Sequence, residues 1–228
     1  MFLKIVLHFA KAFERTDLKR ADLKKEKPYV LLVVGTPGSG KTSVSRRLAE
    51  LLGCLFFEAK EIFERGRALT PDATGRDSMT VLIDKAEEVL KNFVESLESC
   101  AVIADISSSL WLERVGEHIA LVVLLRLHPL ELRRRLEMRG WSAKKVLENA
   151  LAEAFNVVAE ELLDYSNDVI EVDCTGKSVE EVVVEVFTAI SKWNTGVSID
   201  WLERDPELLE EVSRMVLELD SHQNDSTT

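Results

Sequence analysis

Residues 29–43 read YVLLVVGTPGSGKTS, and this segment is the strongest indication of the fold. Its first half is an apolar run rich in β-branched residues, which is typical of a strand buried on both faces of a parallel sheet. Its second half, from Gly35 to Thr42, fits the pattern G-x-x-x-x-G-K-[ST] of a phosphate-binding loop. The match begins where the strand ends and a helix begins, which is the context that such a loop requires.

The residue types in this loop suit a nucleoside triphosphate. Glycines let backbone N–H groups converge on phosphate oxygens, and the start of the next helix adds its positive dipole end. We expect Lys41 to reach the β- and γ-phosphates of ATP and the Thr42 hydroxyl to bind Mg²⁺. Ser43 can add a second hydroxyl near the α-phosphate. The competing interpretation is a glycine-rich turn without a ligand.

Further apolar runs predict more strands of the same sheet, and they occupy residues 55–57, 101–104, 119–125 and 169–172. Segments with helical periodicity alternate with these runs, at residues 41–52, 79–98, 129–138, 144–163 and 178–193. Strands and helices that alternate in this way build βαβ units. The sequence therefore predicts an α/β protein, a three-layer α/β/α sandwich around a parallel five-stranded sheet.

The two ends differ from this alternating middle. We expect an N-terminal extension at residues 1–27, a P-loop domain at 28–194 and an acidic C-terminal extension at 195–228. The N-terminal extension holds the charged stretch DLKRADLKKEK, which predicts a solvated helix or arm. The C-terminal extension holds a helix candidate at residues 206–219 and a polar tail, SHQNDSTT, that we expect to be disordered.

Composition excludes several classes of function. The formal net charge of −11 argues against broad binding to nucleic acid, because such binding needs many cations to neutralise phosphates. No apolar run approaches the roughly 20 residues of a membrane helix. The N-terminal stretch MFLKIVLHFAKAF lacks a small-residue cleavage site, so a signal peptide is not predicted. We expect a cytoplasmic protein that binds neither membrane nor specific nucleic acid sequences.

The cysteines predict no covalent framework. Cys54, Cys100 and Cys174 are odd in number, lie far apart and stand beside apolar runs. This pattern favours small buried thiols in a reducing compartment over a disulfide or a zinc site.

Asp105 directly follows the apolar run 101–104. It is therefore expected at the carboxyl edge of the sheet, the same edge as the phosphate loop. There it can hold a Mg²⁺-bound water or position a phosphoryl acceptor. The competing interpretation is a cap for the turn at residues 107–109, and the nearby phosphate loop favours the functional one.

A basic segment stands out in this acidic chain: residues 133–149 carry six cationic and two anionic side chains. Phosphoryl transfer needs positive charge that arrives with the nucleotide, excludes water and then leaves to release product. Arg135 and Arg139 share a helix face because they are four residues apart. We expect Arg139 to act on the phosphates, and Arg133 and Arg134 to lie on a solvated helix face.

Together these motifs resemble the adenylate kinase isoenzyme 6 family, also called the coilin-interacting nuclear ATPase group, which has an archaeal adenylate kinase branch. The resemblance covers residues 29–193 and is most specific in the lid pattern R-L-E-x-R-G-[WY]-x-x-x-K-x-x-x-N. The chain meets that pattern with Arg135, Arg139, Gly140, Trp141, Lys145 and Asn149. The resemblance implies the P-loop nucleoside triphosphate hydrolase fold of the nucleotide-kinase type, and reversible phosphoryl transfer between ATP and AMP with broad nucleotide use.

The family likeness also implies a site and partners. It implies an AMP-binding region near residues 58–84, a lid near 138–148, a slow ATPase activity and a role in maturing small-subunit ribosomal RNA. In that role the family binds a ribosomal protein of the small-subunit platform. The catalytic residues are expected to be Lys41, Asp105 and Arg139, and the metal ligands Thr42 and Asp105. The expected ATP-binding residues are Gly35, Gly38, Ser39, Gly40, Lys41, Thr42, Ser43 and Arg139.

The chain departs from the family pattern on the acceptor side. The family has Asp-x-His after its third strand, whereas this chain has Asp105 followed by Ser107 two residues on, and the family histidine is tied to turnover. Glu61 and Asp84 are the nearest matches to two acidic positions of the family. Either Arg65 or Arg76 could hold an AMP phosphate, and surface charge on a helical arm explains each equally well.

Two other functions stay open. The chain could be an assembly factor that uses ATP as a conformational switch on the ribosome, with little kinase activity. It could also be a kinase for another small acceptor, such as a nucleoside or a sugar acid, because many kinases share this sheet and loop.

Overall fold

The computed structural model describes residues 29–71, 79–105 and 107–225, so the predicted N-terminal extension at residues 1–27 lies outside it. The strands are β1 (Val30–Val34), β2 (Leu55–Glu58), β3 (Leu69–Pro71), β4 (Met79–Val81), β5 (Ala101–Ala104), β6 (Ile119–Arg126) and β7 (Val169–Asp173). The larger α-helices are α1 (Lys41–Leu52), α2 (Ala59–Arg65), α3 (Ile83–Ser96), α4 (Ser109–Val115), α5 (Pro129–Met138), α6 (Ala143–Ala154), α8 (Val179–Lys192) and α10 (Leu208–Asp225). Two one-turn helices complete the set, α7 (Val157–Glu160) and α9 (Trp201–Arg204), with 3-10 turns at Gly116–His118 and Leu163–Asp168.

The central sheet is parallel and five-stranded, in the order β2-β5-β1-β6-β7. Alternate residues of β1 enter opposite apolar cores: Leu32 packs with α3 and α4, and Val33 packs with α1, α5 and α8. A strand with apolar residues on both faces must be covered on both faces. The predicted three-layer sandwich with a parallel five-stranded sheet is therefore confirmed.

The central position of β1 sets the place of the site. β1 pairs with β5 on one side and with β6 on the other, with Leu32 opposite Ile103 and Val122. The segments that follow these strands leave the sheet at the same carboxyl edge, and ligands bind there in open α/β sheets. The phosphate loop after β1 and Asp105 after β5 thus come together.

Two predicted helices are interrupted. The helix predicted at residues 144–163 ends at Ala154, because Asn156 takes a left-handed φ of 60° before the short helix α7 begins. The segment predicted as helix at 79–98 starts instead as β4, which pairs antiparallel with β3, and only then becomes α3.

The C-terminal segment is more ordered than its sequence predicts. Helix α10 continues to Asp225, so residues 221–225 of the predicted disordered tail are helical. Apolar side chains of this segment form a third core against α6, and they include Ile199, Trp201, Leu208, Val212 and Met215. Burial of this amphipathic face supplies stability that the polar composition of the tail does not reveal.

The cysteine prediction is wrong for two of the three residues. Cys54 and Cys100 form a disulfide. Leu55 pairs with Ala101 in the β2–β5 register, so the residues just before these strands face each other across the sheet. Their sequence separation of 46 hides this adjacency, and the disulfide removes the basis for inferring a reducing compartment. Cys174 is a buried free thiol as predicted, and burial raises its pKa to about 12.

Within the described ranges, no helix combines the length and the apolar character needed to cross a bilayer.

Candidate active site

The phosphate loop joins the end of β1 to α1 in a conformation that needs glycine. Gly35 and Gly38 have φ values of 148° and 99°. A Cβ at Gly38 would lie 2.7 Å from a methyl carbon of Leu132, and one at Gly35 would collide with the Leu125 carbonyl oxygen. The loop is therefore held tightly against β6 and α5, with its backbone in a form that other residues adopt only with strain.

Lys41 rests on the loop that precedes it. Its Nζ donates to the carbonyl oxygens of Gly35, at 2.7 Å, and Thr36, at 3.1 Å. The hydroxyl of Ser39 is buried, and the described part of the chain offers it no hydrogen-bond partner. Neutral carbonyl oxygens are weaker acceptors than phosphate oxygens, so the Lys41 ammonium can exchange these partners for a bound phosphate.

The pKa of Lys41 identifies the charged groups around the loop. Burial is the largest influence and lowers this pKa to about 8. The negative charges of Asp105, Glu153 and Glu58 act in the opposite direction, and the positive charge of Arg139 lowers the pKa further. These four charged residues, from separate parts of the chain, thus influence one ammonium group beside the phosphate loop.

Asp105 is fixed beside the phosphate loop. Its N–H donates to the Val33 carbonyl oxygen at 3.0 Å, so it continues the β1–β5 pairing. One carboxylate oxygen accepts from the buried indole N–H of Trp111 at 2.5 Å, and the other accepts from the Ser107 N–H at 3.4 Å. The turn-capping interpretation is therefore realised as well.

The serines after Asp105 are held by hydrogen bonds among themselves and to Glu161. The Ser107 hydroxyl lies 3.3 Å from that of Ser109. The Glu161 carboxylate accepts from the N–H and the hydroxyl of Ser108 and from the N–H of Ser109. This carboxylate caps the start of α4 and holds the serine segment in place.

The lid predicted near residues 138–148 corresponds to the end of α5, the turn at Gly140 and the start of α6. Arg135 pairs with Glu131 of its own helix at 2.5 Å. Arg133 pairs with Glu137 and with Glu218 of α10, both at 3.0 Å, so its predicted solvated face is in fact an ion-paired one. Arg139 ends the helix with an exposed side chain. Arg139 is exposed, whereas Arg133 and Arg135 are engaged in ion pairs, and its positive charge influences the pKa of Lys41.

The segment predicted to bind the acceptor follows β2, which neighbours β5 in the sheet. Helices α2 and α3 enclose a cavity of about 300 Å³ whose lining includes Glu61, Arg65 and Asn92. Asp84 lies in the first turn of α3. Arg76, the alternative phosphate ligand, lies outside the described residues, as does the rest of residues 72–78. Of the two candidate arginines, Arg65 is the one with a described cavity beside it.

Glu153 is a site residue that the sequence reasoning missed. It lies in the last turn of α6, is 2% exposed, and accepts a hydrogen bond from the hydroxyl of Thr36 in the phosphate loop. It also accepts from Arg126 Nε at 2.8 Å and from the Trp201 indole at 2.9 Å. The available signal was an acidic residue within an apolar stretch of a helix, and this signal is weak because glutamate is common on exposed helix faces.

Comparison with known proteins agrees with this geometry. A family described as AAA domain matches residues 31–156. The chain is 37% identical over 177 residues to a Thermococcus onnurineus protein named "Putative adenylate kinase", with 76% of this chain and 92% of that protein covered. It is 38% identical over 184 residues to a Thermococcus gammatolerans protein of the same name, with coverage of 79% and 97%.

Among solved structures, shikimate kinase from Acinetobacter baumannii in complex with shikimate aligns with a TM-score of 0.51 at 18% identity, covering 76% of this chain and 98% of that one. This likeness shows the fold alone. The predicted P-loop nucleoside triphosphate hydrolase fold of the nucleotide-kinase type is confirmed.

Proposed function

The chain belongs to the AAA domain family and to the nucleotide kinase family of its archaeal relatives, and on this premise we propose that it transfers a phosphoryl group from ATP to AMP, forming two ADP, with Mg²⁺. One observation carries the proposal. The Nζ of Lys41 rests on the carbonyl oxygens of Gly35 and Thr36 in the phosphate loop, and Asp105 continues the β1–β5 pairing, so an ammonium group and a carboxylate lie at the same edge of the sheet.

Lys41 and the loop would bind the triphosphate. The Nζ of Lys41 exchanges the carbonyl oxygens of Gly35 and Thr36 for β- and γ-phosphate oxygens, which are stronger acceptors because they are charged. The backbone N–H groups of the loop from Gly38 to Ser43 and the positive end of α1 supply the remaining donors. The buried Ser39 hydroxyl is a further polar group of this loop.

The donors near the loop suit Mg²⁺. The Thr42 hydroxyl is exposed in the first turn of α1, and Asp105 offers a carboxylate at the same sheet edge. Mg²⁺ takes only one or two protein oxygens besides phosphate and water, so these two residues would be sufficient. When bound, the ion would neutralise charge on the phosphates. Asp105 would hold its place through the Trp111 indole.

Arg139 would act on the transferring group. Its guanidinium carries five donors and a permanent positive charge, which match the charge spread over phosphoryl oxygens in the transition state. Its position at the end of α5, before the Gly140 turn, lets the lid bring this charge to the nucleotide and remove it with the product. Positioning and charge stabilisation would supply most of the rate enhancement.

AMP or another nucleoside monophosphate would bind on the side of α2 and α3. Arg65, beside the cavity between these helices, is the described candidate for its phosphate. This region begins after β2, next to the strand that ends at Asp105, so an acceptor held there can face the phosphate loop. Residues 58–84 accordingly form the proposed AMP-binding region.

Membership in the isoenzyme 6 family is part of the proposal. With it come a slow ATPase activity, a cytoplasmic location and a role in small-subunit ribosomal RNA maturation beside a platform ribosomal protein. A second candidate, the ATP-switched assembly factor with little kinase activity, is favoured by Ser107 in place of the family histidine. The acidic helix α10 would suit a basic partner in either case.

The deciding experiment is ADP formation by the purified protein from ATP and Mg²⁺, with and without AMP. We expect AMP to stimulate ADP formation strongly, and Lys41→Ala and Arg139→Ala to abolish the stimulation. Arg134→Ala, a change at another exposed arginine of the same helix, is the matched control and should behave as wild type. Slow hydrolysis that ignores AMP would support the assembly factor, and phosphorylation of shikimate or gluconate in preference to AMP would support another acceptor.

A further inference from the structure

A buried carboxylate joins the phosphate loop to the C-terminal segment. Glu153 is 2% exposed. One of its oxygens accepts the hydroxyl hydrogen bond of Thr36. The other accepts from Arg126 Nε at 2.8 Å, from the Leu127 N–H at 3.3 Å and from Trp201 Nε1 at 2.9 Å. Side chains from the loop, the end of β6 and the C-terminal segment thus meet on one residue of the lid helix α6.

Arg126 does not need Glu153 for neutralisation alone. This guanidinium is 1% exposed and also pairs with Glu171 of β7 at 2.8 Å. Its remaining N–H groups donate to the Ile199 carbonyl oxygen at 2.9 Å and to Asn156 Oδ1 at 2.5 Å. Two buried carboxylates therefore serve one buried cation, and burying the second is costly. The second carboxylate is the one that reaches the phosphate loop.

The residue that Glu153 holds is also the one on which Lys41 rests. Thr36 is 1% exposed, and its carbonyl oxygen accepts from Lys41 Nζ at 3.1 Å. A phosphate loop binds tightly only when its N–H groups already point inwards before the nucleotide arrives, because ordering on binding reduces affinity. An anchored Thr36 side chain limits the conformations open to the loop.

We propose that Glu153 is a positioning residue for the nucleotide site: it holds the phosphate loop through Thr36, and it makes that hold depend on the C-terminal segment through Trp201. The inference deepens the proposed function and rests on nucleotide binding by the loop. By this inference the C-terminal segment contributes to ATP binding indirectly, because Trp201 contacts Glu153 and Glu153 contacts the loop.

The test is the Kd of a non-hydrolysable ATP analogue with Mg²⁺, measured by titration calorimetry together with thermal unfolding. Thr36→Val keeps the shape of the side chain and removes the hydroxyl. We expect it to weaken binding about tenfold, the result when the released loop adopts its binding form about a tenth of the time. Thr36→Ser restores the hydroxyl and should bind nearly as wild type does. Trp201→Phe keeps the buried ring and removes the indole N–H, and should weaken binding severalfold.

Val212→Ala separates positioning from mere stability. Val212 is buried in the same third core as Trp201, with no contact to Glu153 among the described hydrogen bonds. We expect this variant to lower the melting temperature and to leave the Kd unchanged. In the Thr36→Val/Trp201→Phe double variant, the loss of affinity should be smaller than the product of the two single losses, because both act through Glu153.

The outcomes are distinct. If wild type binds the analogue and Trp201→Phe binds equally well, or if Val212→Ala weakens binding as much as Trp201→Phe, Glu153 has only a structural role and the inference is overturned. If Thr36→Ser binds as poorly as Thr36→Val, the hydroxyl contact is not the cause. If wild type itself binds no nucleotide, the proposed function is wrong and this inference is wrong with it.

Discussion

The disulfide between Cys54 and Cys100 should contribute a large part of the conformational stability. It joins the residues that precede β2 and β5 and closes a loop with a sequence separation of 46. The described elements within this loop are β2, α2, β3, β4 and α3. In the chain-entropy account, closing a loop of this length raises the free energy of the unfolded state by about 4 kcal/mol near room temperature.

The perturbation is the double substitution Cys54→Ser/Cys100→Ser. For a domain of this size we expect it to lower the melting temperature by about 10 °C, since each kcal/mol shifts the midpoint by about 2–4 °C. In urea the unfolding midpoint should fall, and the slope should rise because the unfolded chain without the link exposes more surface. Reduction of the wild-type protein should reproduce both effects.

The assay has an internal control. The double variant carries no disulfide, so a reductant should leave its melting curve unchanged. Cys174→Ala in the otherwise wild-type chain should keep its sensitivity to reductant, because Cys174 is a free thiol. Equal melting temperatures for oxidised wild type, reduced wild type and the double variant would refute the reasoning.

Three further predictions concern the site and the C-terminal helix. Raising the pH through about 8 should weaken binding of an ATP analogue, because Lys41 then loses the positive charge that would contact phosphate. Calorimetry at several pH values checks this, and an affinity that does not change up to strongly alkaline pH would contradict it. Gly38→Ala should lower the free energy of unfolding by about 1–3 kcal/mol and remove most of the nucleotide affinity, because the φ of Gly38 is 99° and the new methyl would collide with Leu136. Gly116→Ala is the matched control, because a Cβ there would meet open space. Met215→Ala should cost about 2–5 kcal/mol in urea unfolding and expose α10 to protease, because Met215 is fully buried against α6; unchanged proteolysis would mean that α10 is held by other contacts.

The basic segment at residues 133–149 shows how an acidic chain can carry a local positive charge. Arg133 and Arg135 are paired with glutamates, one of them from α10, and these pairs leave Arg139 as the exposed arginine that acts on Lys41. The net charge of −11 therefore says little about the field at the nucleotide site. Charge near a ligand depends on which groups are paired, and pairing is a property of the folded chain.

Much of the fold, and the positions of the phosphate loop and Asp105 within it, followed from sequence patterns alone. The apolar run 30–34 predicted a buried strand, and the glycines after it predicted a phosphate loop with Lys41 at the start of a helix. Asp105 was placed correctly at the carboxyl edge because the strand before it is unambiguous. These signals are local: burial on two faces, left-handed glycine φ values and helix starts are decided by residues a few positions apart.

Tertiary structure decided the rest. Cys54 meets Cys100 only because β2 and β5 pair in register. Glu153 of α6 contacts the phosphate loop only because β6 and the C-terminal segment also pack against this end of α6. Contacts between residues 46 or 117 positions apart depend on strand order and helix packing, which neither residue reveals by its neighbours. Local residue patterns were enough to locate the strands of the central sheet and the phosphate loop. The packing of these elements set which distant side chains contact that loop, because such contacts exist only in the folded chain.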